Sequence, residues 1–237
     1  MSWEIQCVEG GGGGNMSDLL ACGDEVISGE GNTTVVYRGR WQEKAVYLKL
    51  AHRERWRVLA PRLWRARSWC SSVELEARNL LRLQAEGIPV IPLLAWGTRY
   101  QCGLPVGGMM LSQAVAGSSL EDALMEERAD SLGLASRYGV VAGRLHQLGG
   151  YEPLRAKDFL VVEEEVFLLD REKPLGAAGW QGKRAMTSLE RAWYRNRRSG
   201  LRLQEGQIRA WLEGYGMAAG LNAQWATRVE EIVRRYC

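Results

Sequence analysis

The chain is poor in the residues that organise metal and disulfide scaffolds. It has two histidines, His52 and His146, and five cysteines, an odd number with no CxxC spacing. Neither a zinc centre nor a disulfide framework fits that inventory, and the cysteine usage suits a reducing compartment. No apolar run approaches the roughly 18–20 residues that would span a bilayer. The opening MSWEIQCVEGGGGGN has neither the basic start nor the apolar stretch of a secretory leader. A net charge of +3 is too small to mark a nucleic-acid partner, and there is no internal repeat. These absences lead us to expect a cytoplasmic protein that binds no nucleic acid.

What is present is ordinary globular material. Hydrophobic residues make up 46% and charged residues 25% of 237 positions, enough for one large domain or two small lobes sharing a cleft. Five consecutive glycines, Gly10 to Gly14, have little to bury, so residues 1–19 are expected to form a disordered tail. Two β-rich runs, Thr33 to Arg38 and Ala45 to Leu50, flank the polar stretch Gly39 to Lys44 and predict a hairpin. A short strand ending at Gly29 precedes them. VELEARNLLRLQAEG reads as an amphipathic helix stopped at Gly87, and IPVIPLLAWGTRY and GLPVGGMMLSQAV as two further strands. The second half reads as mostly helical. A helix is capped at Ser118 or Ser119, a long one ends at Gly149–Gly150, a short strand pair follows, and two or three helices lie beyond residue 186. The fold class is α+β.

Four residue sets carry possible chemistry. Gly29-x-Gly31, with Thr33 after it, could cover phosphates through backbone N–H groups. Lys49 lies inside the apolar strand Val46-Tyr47-Leu48-Lys49, one strand later. A buried lysine needs a carboxylate; Glu74 and Glu76 compete, and the spacing to Asn79-Leu80-Leu81 favours Glu76. Phe167-Leu168-Leu169-Asp170 ends an apolar run in a carboxylate suited to magnesium. Each has a plainer competitor: a mere turn, a strand lysine facing water, an aspartate opening a loop.

Their order, with a connecting segment near Gln113 and a long helix before Asp170, is the protein-kinase order. The stretches ISGEGNTTVVYRGRW, ELEARNLLRLQAEGIPV, MMLSQAVAGSSLEDAL, GRLHQLGGYEPLRAKDFLV and VFLLDREKP resemble successive motifs of the lipopolysaccharide core kinases, the WaaP, KdkA and InaA-like group, over roughly residues 25–210. The resemblance implies a bilobal protein-kinase-like fold, with a small antiparallel-sheet N-lobe carrying one helix (20–115) and a mainly helical C-lobe (116–237). It also implies ATP and Mg2+ as cofactors and phosphoryl transfer to a sugar hydroxyl of the lipopolysaccharide inner core, heptose or Kdo. Lys49 and the glycine loop (Gly29, Gly31, Thr33) would then hold phosphates, and Gln113 would face the base through its backbone. Asp158 and Asp170 would hold metal. His146 falls in a structural position before the catalytic loop.

That loop departs from the pattern. With Asp158 in the metal-ligand slot, Pro153 falls where kinases carry the catalytic aspartate, and Tyr151 and Glu152 stand where His and Arg would be. Proline cannot accept a proton. Three readings follow: Glu152 reaches the acceptor by a one-residue shift; Asp158 acts as base while Asp170 alone holds metal; or the chain is a pseudokinase, a nucleotide-binding or scaffold module. Finally, the Arg53–Trp69 segment interleaves arginine with tryptophan. It reads either as a solvated insertion or as a contact with an anionic glycolipid or core oligosaccharide at the inner face of the inner membrane.

Overall fold

The computed structural model describes residues 2–8, 16–29, 32–54, 60, 69–126 and 130–237. The chain divides into two compact units, residues 1–82 with 91–115, and residues 83–90 with 116–237. The α+β class expected from the sequence is the class observed.

The first unit is a six-stranded antiparallel sheet of order β1-β5-β6-β4-β3-β2. Its strands are β1 (Ser2–Cys7), β2 (Gly23–Ser28), β3 (Thr34–Trp41), β4 (Lys44–Ala51), β5 (Leu93–Gln101) and β6 (Leu104–Gln113), with helices α1 (Met16–Ala21) and α2 (Ser72–Ala85). Successive strand residues face opposite ways. In β4, Val46 and Leu48 therefore join Leu19 of α1, Trp41, Met109 and Leu111 in the core, while Lys49 falls on the face served by α2.

The β3–β4 hairpin is tighter than the sequence suggested. Its turn is Gln42–Glu43 alone, with φ of 48° and 63°, the two positive values a two-residue type I′ turn requires. Neither residue is the Asn or Gly that usually marks such a turn, so the polar stretch looked like a longer loop. Gly39 belongs to β3 instead. A Cβ there would lie 1.6 Å from the Cys22 carbonyl oxygen, which accepts from Arg40 N.

The disorder expected over residues 1–19 is overturned at both ends of that stretch. Ser2–Cys7 pairs along its length with β5, from Ser2 opposite Tyr100 to Cys7 opposite Ala95. Trp3 and Ile5 pack on the core, and Gln6 accepts from Trp96 Nε1 at 3.0 Å. Alternation of Trp3, Ile5 and Cys7 is the strand signal that the glycine run overshadowed. Met16–Ala21 is helical, with Leu19 fully buried. Residues 9–15 lie outside the described residues.

The second unit holds a three-stranded sheet, β7 (Ser118–Ser119), β8 (Phe159–Val162) and β9 (Glu165–Leu168), and helices α3 (Leu120–Met125), α4 (Ser131–Gln147), α5 (Gly182–Ser199), α6 (Glu205–Ala219) and α7 (Ala223–Tyr236). Ser119 caps α3, accepting from Asp122 N at 3.1 Å. Glycines inside helices cost about 1 kcal/mol each, and here they are used for contact. Cβ atoms on Gly139 and Gly214 would come within 2.2 Å of Trp211 O and 2.4 Å of Ser136 O, so α4 and α6 pack backbone to backbone. Tyr138, Trp193, Trp211 and Tyr215 fill the space around that seam.

Candidate active site

The first unit places Lys49 against Glu76. Lys49 Nζ lies 2.7 Å from Oε1 and 2.6 Å from Oε2, so one ammonium bridges both carboxylate oxygens. The Glu76 side chain is 4% exposed and that of Lys49 20%. The competition between Glu74 and Glu76 is settled by what holds α2. Ser71 Oγ accepts from Glu74 N at 3.0 Å, the N-cap half of a Ser-x-x-Glu box. Thr98 Oγ1 accepts from Ser71 N at 2.7 Å and donates to Glu74 Oε2, while Arg78 pairs with Glu74 Oε1. Glu74 is thus fully engaged on the β5 side, and Glu76, two residues on, turns to β4. Glu54 completes the anchor by accepting from Ser72 N at 2.8 Å and Ser72 Oγ at 2.9 Å. The sequence reading missed Glu54, Ser71 and Thr98; only the Ser71-x-x-Glu74 cap had a local signal.

Gly29 has φ of 82°, and its carbonyl oxygen accepts from Asn32 N at 2.8 Å. Gly31 lies outside the described residues, as do Arg55, Trp56, Arg57, Arg62, Trp64, Arg65 and Arg67. Thr33 O accepts from His52 N at 2.9 Å. Gln113 N donates to Pro92 O at 2.9 Å, and Ala114 N to Ala45 O. The base contact expected at Gln113 therefore cannot use its N–H. Trp69, half exposed, donates Nε1–H to Gly103 O and accepts Tyr100 OH at its carbonyl, which pins that end of the arginine–tryptophan segment to the sheet.

The second unit gathers Glu152, Asp158 and Asp170 around one pocket of about 570 Å³, with Pro153 between them. Three buried groups fix residues 151–158. Tyr138 OH donates to Leu154 O at 2.6 Å, Asn196 Oδ1 accepts from Ala156 N at 3.0 Å, and Ser188 Oγ donates to Glu152 O at 3.2 Å. Leu169 N donates to Asp158 O at 3.0 Å, which ties the Asp170 segment alongside.

The Ser188 contact ends a directional relay. The Trp180 indole can only donate, so Tyr215 Oη accepts from Nε1 at 3.1 Å and sends its own proton to His146 Nδ1 at 2.7 Å. Ser188 Oγ spends its proton on Glu152 O, so it accepts from His146 Nε2 at 3.1 Å. His146 is therefore neutral with the proton on Nε2. Complete burial, with a smaller contribution from the Arg171 cation, pushes its pKa from 6.5 down to about 3. It is a structural histidine that positions the Glu152 backbone.

The carboxylates differ in what meets them. Arg155 engages both oxygens of Asp158: its N lies 3.1 Å and its Nε 2.9 Å from Oδ2, and its Nη2 bonds Oδ1. This hydrogen-bonded carboxylate raises the Arg155 pKa. Glu152 accepts from Lys173 N at 3.2 Å and lies 3.7 Å from Arg171 Nε. Arg171 is 2% exposed; burial lowers its pKa, opposed by the charges of Glu152, Asp170 and Asp158. Gly150 leaves it room, since a Cβ there would lie 2.9 Å from Arg171 Nη2. Asp170 is exposed on the pocket.

A magnesium ion takes one or two carboxylates and draws its other ligands from water and phosphate. Asp170 fits that role. Asp158, with a guanidinium across both oxygens, does not fit as held: the cation would face Arg155. Among the described residues, no three His, Cys, Asp or Glu side chains converge as a metal cage, and no helix is long and apolar enough to cross a membrane.

No protein-family model and no curated protein sequence matches the chain. Among solved structures, the chain is similar to WaaP, solved in complex with acyl carrier protein, at a TM-score of 0.62 and 14% identity, covering 97% of this chain and 99% of that one. It also aligns with WbdD at a TM-score of 0.46 and 13% identity, over 90% of this chain and 50% of that one. The fold is thus the kinase-like fold of WaaP, the fold the sequence motifs had suggested.

Proposed function

We propose that this chain is an ATP- and magnesium-dependent phosphotransferase acting on a sugar hydroxyl, with the lipopolysaccharide inner core, heptose or Kdo, as the acceptor class. The observation that carries the reading is the Lys49–Glu76 pair on a fold shared with WaaP. A lysine held by a helix glutamate in this way presents its charge to nucleotide phosphates, which is its work in kinases. In the transfer, the acceptor oxygen bonds to the γ-phosphorus, the bond from that phosphorus to the ADP oxygen breaks, and the hydroxyl proton leaves to a base. Pro153 cannot be that base. Glu152, on the pocket wall with its backbone held by Ser188, is the carboxylate we assign to it. Bound magnesium would neutralise charge on the transferring phosphoryl group, with Asp170 as its protein ligand.

A second reading, a pseudokinase that binds nucleotide without transfer, is favoured by Pro153 and by the Arg155 clamp on Asp158. The thermal melt of the full chain with and without magnesium-ATP, in wild type, Lys49→Met and Asp170→Ala, tests nucleotide binding. A ligand at 100 times its Kd adds about 2.7 kcal/mol, several degrees for a chain of this size. A mass gain of one phosphoryl group on purified core oligosaccharide separates enzyme from pseudokinase; a nucleotide shift with no transfer selects the second. The acyl carrier protein in the WaaP structure was not among the partners suggested by the sequence. Co-elution with the full chain is its direct check. The peripheral membrane contact of the Arg53–Trp69 segment belongs to the same proposal. Serine at Arg62, Arg65 and Arg67 should lower binding to phosphatidylglycerol vesicles, and unchanged binding would remove it.

A further inference from the structure

Arginines across the second unit are mostly occupied. Arg234 pairs with Glu205 and Glu230, Arg235 with Glu190, Arg209 with Glu205 and Arg137 with Glu164. One stripe differs. On α5, Arg191 and Arg195 lie one turn apart on the same face, exposed, and both line the 570 Å³ pocket. Neither has an ion-pair or hydrogen-bond partner among the described residues, and neither does the ammonium of Lys173, which lines the same pocket. The stripe continues through Lys183, Arg184 and Thr187 into a second pocket of about 380 Å³, which shares Glu152, Arg171, Lys173 and Arg191 with the first.

Charge accounting in the first pocket shows what is left over. Asp158 is matched by Arg155 and Glu152 by Arg171, and Asp170 is assigned to metal. Even with Asp170 counted, the described lining carries five cations, Arg155, Arg171, Lys173, Arg191 and Arg195, against four carboxylates, Glu152, Asp158, Asp170 and Glu172. Like charges converging on a concave surface repel one another, and they are stabilised when an anion enters. Arginine meets phosphate or carboxylate oxygens with two parallel hydrogen bonds.

We propose that Arg191, Arg195 and Lys173 form an anion-anchoring subsite beside Glu152, so that the acceptor must already carry a phosphate or carboxylate near the hydroxyl to be modified. The inference rests on the phosphotransferase reading for the word acceptor, but the subsite itself does not depend on nucleotide. Arg191 and Arg195 act as specificity residues: they hold the substrate and leave the transferring phosphoryl group to Lys49 and Asp170. Arg191 and Glu152 line the same two pockets, so an anion held at Arg191 would bring a neighbouring hydroxyl toward the base.

The test is calorimetric titration of the full chain at low ionic strength with glucose 6-phosphate, glucuronate and glucose. The variants are Arg191→Gln/Arg195→Gln and, as a control for equal charge loss, Arg198→Gln/Arg228→Gln, which removes two arginines outside both pockets. Wild type should bind at least one anionic sugar and not glucose, and the two anionic arms distinguish phosphate from carboxylate. The pocket variant should lose about tenfold or more in affinity, and the control should keep it. Equal binding of glucose, equal loss in the control, an unaffected pocket variant, or no anion binding in wild type would each overturn the subsite. Both variants are checked by circular dichroism melts. If Arg191→Gln/Arg195→Gln unfolds, Lys173→Gln replaces it with the same outcomes. Magnesium-ATP binding is measured separately: its loss with anion binding intact removes the kinase reading and leaves the pocket.

Discussion

The two units solve the same problem, holding carboxylates where chemistry needs them, by opposite means. In the first, Glu76 meets Lys49, the group we propose to hold phosphates, and the choice of Glu76 over Glu74 follows from how α2 is capped and anchored. In the second, Glu152 and Asp158 meet arginines that compete with the work expected of them. A pair between strand and helix presents a cation to a ligand. A carboxylate forked by its own i−3 arginine presents very little. Under the proposed function the first unit would need no rearrangement of this pair, whereas the second would have to loosen the Arg155 contact to bind a metal through Asp158.

The largest effect that tests this contrast is on Lys49. Lys49→Met should lower transfer by about 10²–10³-fold, the cost of removing a charge aimed at the transition state, measured by radiolabelled phosphate transfer. Glu76→Ala should destabilise the fold by about 2–4 kcal/mol, because it leaves a part-buried ammonium without its carboxylate, measured by urea unfolding. If both variants leave transfer and nucleotide binding intact, the two units do not differ as argued.

The relay under Glu152 gives the next effect, and its sign is fixed. His146 is neutral when folded, with its pKa depressed to about 3, and titrates near 6.5 when unfolded. Between those values the unfolded chain binds the extra proton, so stability is full above about pH 6.5 and falls as pH drops toward 3. His146→Gln should flatten that part of the pH–stability curve, read from urea midpoints. An unchanged slope would mean that the buried relay does not control acid stability.

A smaller effect sharpens the comparison directly. Arg155→Gln removes the charge across Asp158, so magnesium-ATP should bind a few-fold more tightly, about 1 kcal/mol at most, by titration calorimetry. Weaker binding would show that Arg155 itself meets the nucleotide. The smallest expected effect lies in the β3–β4 turn. Glu43→Gly should stabilise the chain by about 0.5–1 kcal/mol, since it relieves a non-glycine residue at φ of 63°.

Much of the first unit was legible because its signals are local. Alternation in Thr34–Trp41 and Lys44–Ala51, the helical spacing of Val73, Ala77 and Leu80, and the stop at Gly87 each lie within one element. β1 was missed because it exposes most of its residues and gains its place only by pairing with a strand some ninety positions later. In the second unit, Asp158 and Asp170 could be picked out by order along the chain, but their partners could not. Nothing near Asp170 in sequence announces that Arg171 is buried, and the relay draws on Trp180, Tyr215, His146 and Ser188 from four separate stretches.

The sequence alone determined the order of elements from β2 onward and the residue types offered for phosphate and metal, since periodicity and spacing are properties of the chain itself; the kinase-like class was legible through the resemblance of its motifs to the lipopolysaccharide core kinases. Only the tertiary structure decided which carboxylate takes Lys49, which is clamped by Arg155, and which cations on α5 have no partner among the described residues. Charge pairing acts over a few ångströms, and those distances exist only once segments far apart in the chain have packed.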